Sequence, residues 1–390
     1  MSPSLNYIVL VITLCVSQIA SAEEKQQESV EEAKPFLTVK LVDQQGKPVE
    51  GARASISSVI NGYDRERGVG WEFVGPEVRS DSEGLVRISN PAQFDCMVFA
   101  RHAGRNLVAT KRTDLIEDQK SPLILTMYPE CHVTWKIKCS QLDQIGKDAG
   151  QARGRCYSGD QICQKCFQTG LTLHFFLPPG EFRLMSYGKR FCPVDKKIVV
   201  KTGQIEFDAG TTDAYARKWI LLEGKPAPEI IDVQGWKNGP IKLSQLRGKV
   251  VILEFWGWWC GPCIYYGIPE LFKLQKEYPA EDLAIIGVHT PYGEEDQVTS
   301  IKELNEKLSK IQKDVWKGKQ INFPVALTRF RKLPYSPGEE SYANSRMSVE
   351  YGILSFPSVI VIDRQGNIFG SLNLQEKADR DKLKQLIEAK

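Results

Sequence analysis

The sequence lacks an excess of either charge. Fifty-one basic side chains stand against 48 acidic ones, a net +3 over 390 residues, with no long basic block. That balance leaves no electrostatic footprint for nucleic acid or an anionic membrane surface, and neither is expected as a partner. A membrane-spanning run is also missing at the start of the chain. The apolar stretch "YIVLVITLCV" (Tyr7 to Val16) is shorter than the roughly 18 to 20 residues that cross a bilayer. No Lys or Arg precedes it, so only the amino terminus supplies positive charge there. Small residues follow at Ala20 and Ala22, the layout of a secretory signal cleaved after Ala22. A lipid anchor on Cys15 is excluded because Leu14 stands where a small residue belongs. Residues 1–22 therefore read as a signal peptide and 23–35 as a Glu-rich tether with nothing to bury. The protein is expected outside the cytosol, in a periplasm or cell envelope, where cysteines default to disulfides.

Helical periodicity is absent from residues 36–127. "FLTVKLVD" alternates in period two and runs into the turn "QQGKPVEGA"; "VRSDSEGLVRIS" repeats the design with Gly84 at its turn. "FDCMVFAR" and "SPLILTMY" add strands, giving a small β-sandwich. The turn phrases "VDQQGKPVEGARASI" and "SDSEGLVRI" resemble carboxypeptidase-regulatory-like, transthyretin-like sandwiches. Residues 128–212 continue the β pattern in "CHVTWKIKC", "LTLHFFLPPGEFRLMSYG" and "KKIVVKTGQIEFDAG", a second sandwich of similar kind. Residues 140–170 interrupt it with a polar, Gly-rich insertion.

Cys131, Cys139, Cys156, Cys163, Cys166 and Cys192 fall within this second region. Six cysteines in an exported β-domain predict three structural disulfides, of fifteen possible connectivities. A zinc ribbon wants a second CxxC beside "CQKC", and the region has none, so no metal is expected. Cys96, inside alternating "FDCMVFAR", reads as a buried thiol.

The character changes after "TTDAYARKW". "KVVILEFW" is a continuous apolar strand of the kind buried on both faces of a sheet. A helix from about Pro262 to Tyr278, the strand "DLAIIGVH", an amphipathic helix carrying Ile301, Leu304, Leu308, Ile311 and Val315, the strands "PSVIVID" and "IFGSLN", and a last helix follow. Strands alternating with helices, closed by a hairpin, predict a three-layer α/β domain. Its first strand runs into "WCGPC", which puts Cys260 at the start of a helix. Unpaired N–H groups and the helix dipole stabilise an anion there. Such positions lower a cysteine pKa from about 8.5 towards 7, and the thiolate is the species that attacks a disulfide. Cys260 is thus the predicted nucleophile, and Cys263, one turn deeper, the resolving thiol.

The pieces "GKPAPEI", "LSQLRGKVVILEFWGWWCGPC", "IIGVH" and "YGILSFPSVIVIDRQGNI" make residues 219–390 resemble the thioredoxin superfamily, in its exported TlpA/ResA-like branch of thiol–disulfide oxidoreductases. The whole chain thus reads as multidomain: two small β-sandwiches followed by a C-terminal α/β thioredoxin-like domain. The resemblance implies roles for further residues. Glu254, six before Cys260, stands where the family buries a carboxyl under the dithiol; desolvated there, it would shuttle the proton of Cys263. Pro357 in "SFPS" matches the family's cis proline, with Phe356 free to pair its backbone with an extended substrate. Two departures stand out. Pro269 lies nine residues after Cys260 where the family has eight, which predicts a one-residue bulge. Tyr265 and Tyr266 replace residues that are often basic. Trp259, Tyr265 and Phe356 are the candidate substrate contacts, while Phe255 and Trp256 read as core.

These features predict a thiol–disulfide oxidoreductase that needs no cofactor and reduces protein disulfides. Gly-Pro between the cysteines is the thioredoxin pair, whose potential of about −270 mV lies at the reducing end of the range. The resemblance implies a membrane thiol carrier as electron donor. A thiol peroxidase of the redoxin type is disfavoured because Gly257, not Thr or Ser, stands three before Cys260. A cell-envelope binding protein with an accessory redox domain is the third reading, for which the sandwiches show no recognisable aromatic platform.

Overall fold

The computed structural model describes residues 36–59, 72–74, 76–89, 96–113, 122–159, 161–334 and 342–389, so the expected signal and tether lie outside the described residues. No helix among the described residues is long and apolar enough to cross a membrane. The chain forms two compact units, the first ending at Tyr128 and interrupted by Val59–Glu72, which group with the second, Pro129 onward.

In the first unit, Phe36–Val42 pairs antiparallel with Leu85–Ser89 and parallel with Leu123–Thr126. A second sheet is built around Arg53–Val59, Cys96–His102 and Leu107–Thr113. Val39, Leu41 and Ile88 of the first sheet share one core with Ala54, Ile56 and Val98 of the second. Alternation along each strand puts these side chains on one face. The turn phrases work as local hydrogen-bonding devices: Asp43 Oδ1 accepts from the N–H groups of Gln45 and Lys47, and Asp81 Oδ1 from those of Glu83 and Leu85. Gly84 has φ +75°, and a Cβ there would lie 2.4 Å from the Leu41 carbonyl oxygen, so the turn needs glycine. Cys96 opens a strand, and its side chain lies outside the described residues.

The second unit begins with two four-stranded sheets. One runs in the order Phe167–Thr169, Thr172–Leu177, Cys131–Lys138, Glu206–Asp213, the last pair parallel. The other runs Gln161–Lys165, Ala152–Ser158, Gly180–Gly188, Val194–Val200, antiparallel throughout. Trp135 and Phe175 are fully buried on the inner face. The expected insertion at 140–170 instead holds a short helix, Ser140–Gln144, and three strands of the two sheets. In "ARGRCYS", Ala152, Gly154 and Cys156 are buried. Two small residues and a cysteine are too weakly apolar to announce that inner face.

The helix Lys218–Leu221 then buries Trp219 and Ile220. Bridges Glu223↔Ile368 and Pro226↔Asn367 tie the connecting segment to the last sheet, and Lys218 Nζ pairs with Glu350 at 2.8 Å. That sheet has six strands in the order Val233–Lys237, Val325–Thr328, Leu283–His289, Val250–Trp256, Ser358–Ile362, Ile368–Leu372. The apolar strand Val250–Trp256 is central and buried at every position. It is parallel to Leu283–His289 and antiparallel to Ser358–Ile362. Helices Ile268–Glu277, Ile301–Asp314, Arg346–Tyr351 and Lys377–Glu388 complete the α/β part. Leu271, Leu304, Leu308 and Leu383 reach its core, each contributing roughly 1.5 to 3 kcal/mol of burial.

Candidate active site

Strand parity sets the floor of the site. Ile252 and Trp256 share a core with Cys263, Ile268 and Leu271, so period two carries Glu254 to the same face, under the cysteine-bearing helix. Gly261 and Pro262 begin that helix, immediately after Cys260. Residues Cys263–Gly267 form a π-turn before the α-helix Ile268–Glu277. The π-turn takes up the extra residue ahead of Pro269. It opens the ladder of i→i−4 bonds, and the Ile264 carbonyl accepts from the Trp316 indole Nε1 at 2.9 Å.

Cys260 and Cys263 form a disulfide, with Cα atoms 5.3 Å apart. The Cys263 backbone N–H donates to Cys260 Sγ at 3.2 Å. A thiolate at Cys260 would therefore meet a donor already aimed at it. Cys260 is 4% exposed and Cys263 fully buried, so an incoming substrate meets Cys260 first.

Glu254 is fully buried, and neither carboxyl oxygen has a hydrogen-bond partner in the protein. Burial pushes its pKa up to about 8. A Cβ on Gly267 would lie 2.8 Å from Glu254 Oε1 and 3.5 Å from Pro357 Cβ. The carboxyl, the π-turn and Pro357 therefore adjoin one another. The Phe356–Pro357 peptide bond is cis. The Phe356 ring meets Trp259 edge to face at 5.2 Å.

Two expected contacts are placed differently. Trp259 is buried and its indole donates to the Thr290 carbonyl at 2.9 Å, so it walls the dithiol instead of presenting a free face. Tyr265 is exposed, but Tyr266 is the one that lines the cavity beside the cysteines. Each helical residue turns the side-chain direction by about 100°, so the choice between neighbouring tyrosines depends on the π-turn. Tyr292, exposed and 5.1 Å from the Trp259 ring, also borders the site. It comes from the loop after Leu283–His289, where no periodicity points to it. His289 is a further unforeseen member. Its Nε2 accepts from the Trp258 N–H at 3.3 Å, and burial lowers its pKa to about 3, keeping it a neutral acceptor. At Gly257, an added Cβ would lie 2.3 Å from Trp259 Nε1 and 2.9 Å from the Thr290 oxygen. No side chain fits there.

The three structural disulfides expected in the middle sheets are not present. Cys131, Cys139, Cys156, Cys163, Cys166 and Cys192 stand as thiols. They are distributed over strands and connections of both sheets. Cys163 Sγ donates to the Cys156 carbonyl at 3.3 Å. Burial raises Cys131 to about 11 and also raises Cys139, Cys156 and Cys166, which disfavours the thiolate needed for exchange. No group of three or more His, Cys, Asp or Glu among the described residues is placed to hold a metal. One aromatic cluster escaped the sequence reading. His132 and His174 approach at 3.0 Å and His132 stacks on Phe176, on the outer side of alternating strands.

Residues 222–387 match the redoxin family. The chain is similar to the thioredoxin-like protein YneN of Bacillus subtilis, 27% identical over 157 residues, 40% of this chain and 74% of the relative. It is also similar to the thiol-disulfide oxidoreductase ResA of Bacillus anthracis, 26% identical over 156 residues, 40% of this chain and 71% of that protein. Among solved structures, a thiol-disulfide isomerase from Corynebacterium glutamicum is 25% identical; the match covers 42% of this chain and 98% of that one, with a TM-score of 0.32. The C-terminal part, which carries the redoxin match, has a thioredoxin-like fold and is preceded by several β-sheets. The protein is an oxidoreductase enzyme of the thioredoxin-like type.

Proposed function

We propose that this enzyme is a thiol–disulfide oxidoreductase that works outside the cytosol and reduces protein disulfides through Cys260 and Cys263. The observation that carries the reading is the dithiol itself: paired cysteines at a helix start, with the Cys263 N–H on Cys260 Sγ and a buried, unpartnered carboxyl beneath. The Cys260 thiolate attacks one sulfur of the substrate disulfide and expels the other as a thiolate. Where Glu254 is ionised, Cys263 gives its proton to it, directly or through one water, and attacks Cys260 Sγ. The second substrate thiolate leaves. Two electrons have passed to the substrate, and the enzyme holds the Cys260–Cys263 disulfide. A membrane dithiol carrier then restores it by the same exchange in reverse. Phe356 and Pro357 offer backbone to an extended substrate segment, with Tyr265 at the rim.

Export rests on residues 1–22 acting as a cleaved signal. The sheets at 36–127 and 128–212 are read as two β-sandwiches, the first of the carboxypeptidase-regulatory-like kind, that precede the redox domain (219–390). Peroxidase chemistry is disfavoured by Gly257, whose surroundings leave no room for a Thr or Ser side chain.

The test is covalent trapping. Cys263→Ser should attack but stall, accumulating mixed disulfides on Cys260 that a thiol reductant releases. Absence of any mixed disulfide from a reduced Cys263→Ser protein mixed with disulfide-bonded substrates would sink this reading.

A further inference from the structure

A cavity of about 330 Å³ opens beside the dithiol. Pro262, Tyr266 and Pro357 of the redox site line one side. The other side is not built by the thioredoxin-like part. Lys189, from the connection between strands Gly180–Gly188 and Val194–Val200, and Arg217, from the segment that leaves the middle sheets, both reach the lining. The preceding β region therefore supplies part of the wall next to the reactive cysteines.

The electrostatics of that wall are one-sided. Arg217 is held in place by its Nη2 donating to the Gly188 carbonyl at 3.1 Å and its Nε to that of Phe191 at 3.4 Å. These carbonyls fix the orientation of the guanidinium. Lys189 is more loosely placed, 3.6 Å from Asp379, which Lys382 already engages at 2.9 Å. The carboxyl in the lining is Glu254, and burial keeps it protonated below about pH 8. At neutral pH the cavity thus has two cations and no lining anion, with Asn373 and several serines as neutral hydrogen-bonding groups.

We propose that this cavity is a substrate subsite for a carboxylate, the acidic side chain of a residue near the target disulfide in a polypeptide substrate, with Arg217 and Lys189 as its specificity-determining cations. This rests on the disulfide-reductase reading and adds the substrate class to it. A segment lying along Phe356 and Pro357 brings its cystine to Cys260, and a neighbouring Asp or Glu side chain enters between Tyr266 and the two cations. Arg217, pre-positioned by the Gly188 and Phe191 carbonyls, loses little side-chain entropy on binding, and its positive charge attracts a carboxylate.

The test uses the full chain, reduced, and two disulfide-bonded peptides that differ only in Glu or Gln beside the cysteine. The second-order rate of their reduction is read from tryptophan fluorescence in stopped flow. The wild type should react with the Glu peptide about tenfold faster, the scale of one charge-assisted contact. Lys189→Glu changes an exposed side chain, so folding is not at issue. It should lower the Glu-peptide rate about tenfold and leave the Gln-peptide rate within about twofold, the pattern of a charge at a binding rim. Arg217→Gln should act in the same direction. Equal wild-type rates for both peptides, or an equal loss on both in Lys189→Glu, would overturn the subsite while leaving the reductase intact. If neither peptide is reduced, the reductase reading falls and the subsite falls with it.

Discussion

The chain carries CxxC twice, as "CQKC" (Cys163 to Cys166) and "CGPC" (Cys260 to Cys263), and the two have opposite fates. Cys163 lies on the strand Gln161–Lys165, and Cys166 follows it. A strand advances about 3.3 Å per residue and alternates sides, which sets positions three apart about 10 Å from each other and on opposite faces. A disulfide tolerates Cα separations only to about 7 Å. At Cys260 the chain enters a helix, and the same three-residue step closes to 5.3 Å. Cys163 and Cys166 instead meet the neighbouring strand: Cys163 Sγ donates to the Cys156 carbonyl, and a Cβ at Gly154 would lie 3.0 Å from Cys166 Sγ. Spacing alone is therefore not a redox motif. The element beneath it decides.

The largest effect that breaks this comparison is loss of the nucleophile. Cys260→Ser should abolish disulfide reduction, whereas Cys163→Ser and Cys166→Ser should keep turnover within about twofold, because neither lies at a helix start within disulfide reach of the other. An insulin-reduction assay on the three proteins measures it. Loss of turnover in a folded Cys163→Ser protein would mean that electrons pass through the middle sheets after all.

Next in size is the carboxyl that only the second pair possesses. Glu254→Gln should slow resolution of the mixed disulfide by roughly 10²- to 10⁴-fold where the base is ionised. Since the Glu254 pKa lies at about 8, wild-type resolution should rise with pH through that value, and the Glu254→Gln protein should lose that rise. Stability gives an independent readout. The folded-state pKa is raised above the ordinary 4.5, so between about pH 4.5 and 8 the native protein holds a proton that the unfolded chain has released. Stability should fall with pH across that window, by at most about 1.4 kcal/mol per unit, and level off above it. Denaturant midpoints for both proteins at pH 4, 6 and 9 should diverge as pH rises, with the Glu254→Gln protein increasingly the more stable. Parallel curves would place Glu254 in contact with water or a counter-charge.

The smallest effect concerns the turn that shapes the second pair. Trp316→Phe keeps an aromatic ring and removes the indole donor from the Ile264 carbonyl inside the π-turn. Leaving a buried carbonyl unsatisfied costs about 1 to 3 kcal/mol, visible in urea unfolding. An unchanged midpoint would show that the π-turn holds without this bond.

Much of the α/β part was legible from the sequence because its signals are short-range. An unbroken apolar strand, a helix opening at "CGPC" and an amphipathic period at Ile301, Leu304 and Leu308 each lie within one local window. The resemblance to thioredoxins, and not a local period, suggested the Glu254 carboxyl under the dithiol, while the position of Pro269 announced an extra residue before the π-turn appeared. The cysteine-rich region was less readable. Count and compartment suggested bridges, but whether Cys131, Cys139 and Cys156 meet partners depends on how strands far apart in sequence are paired, and burial then makes those thiols poor nucleophiles. Tertiary packing likewise decided that Trp259 is a wall, that Tyr266 faces the cavity, and that Lys189 and Arg217 arrive beside a dithiol more than forty residues further along the chain. Periodicity and helix starts are properties of neighbours in sequence; burial, charge and access belong to neighbours in space, which only the folded chain brings together.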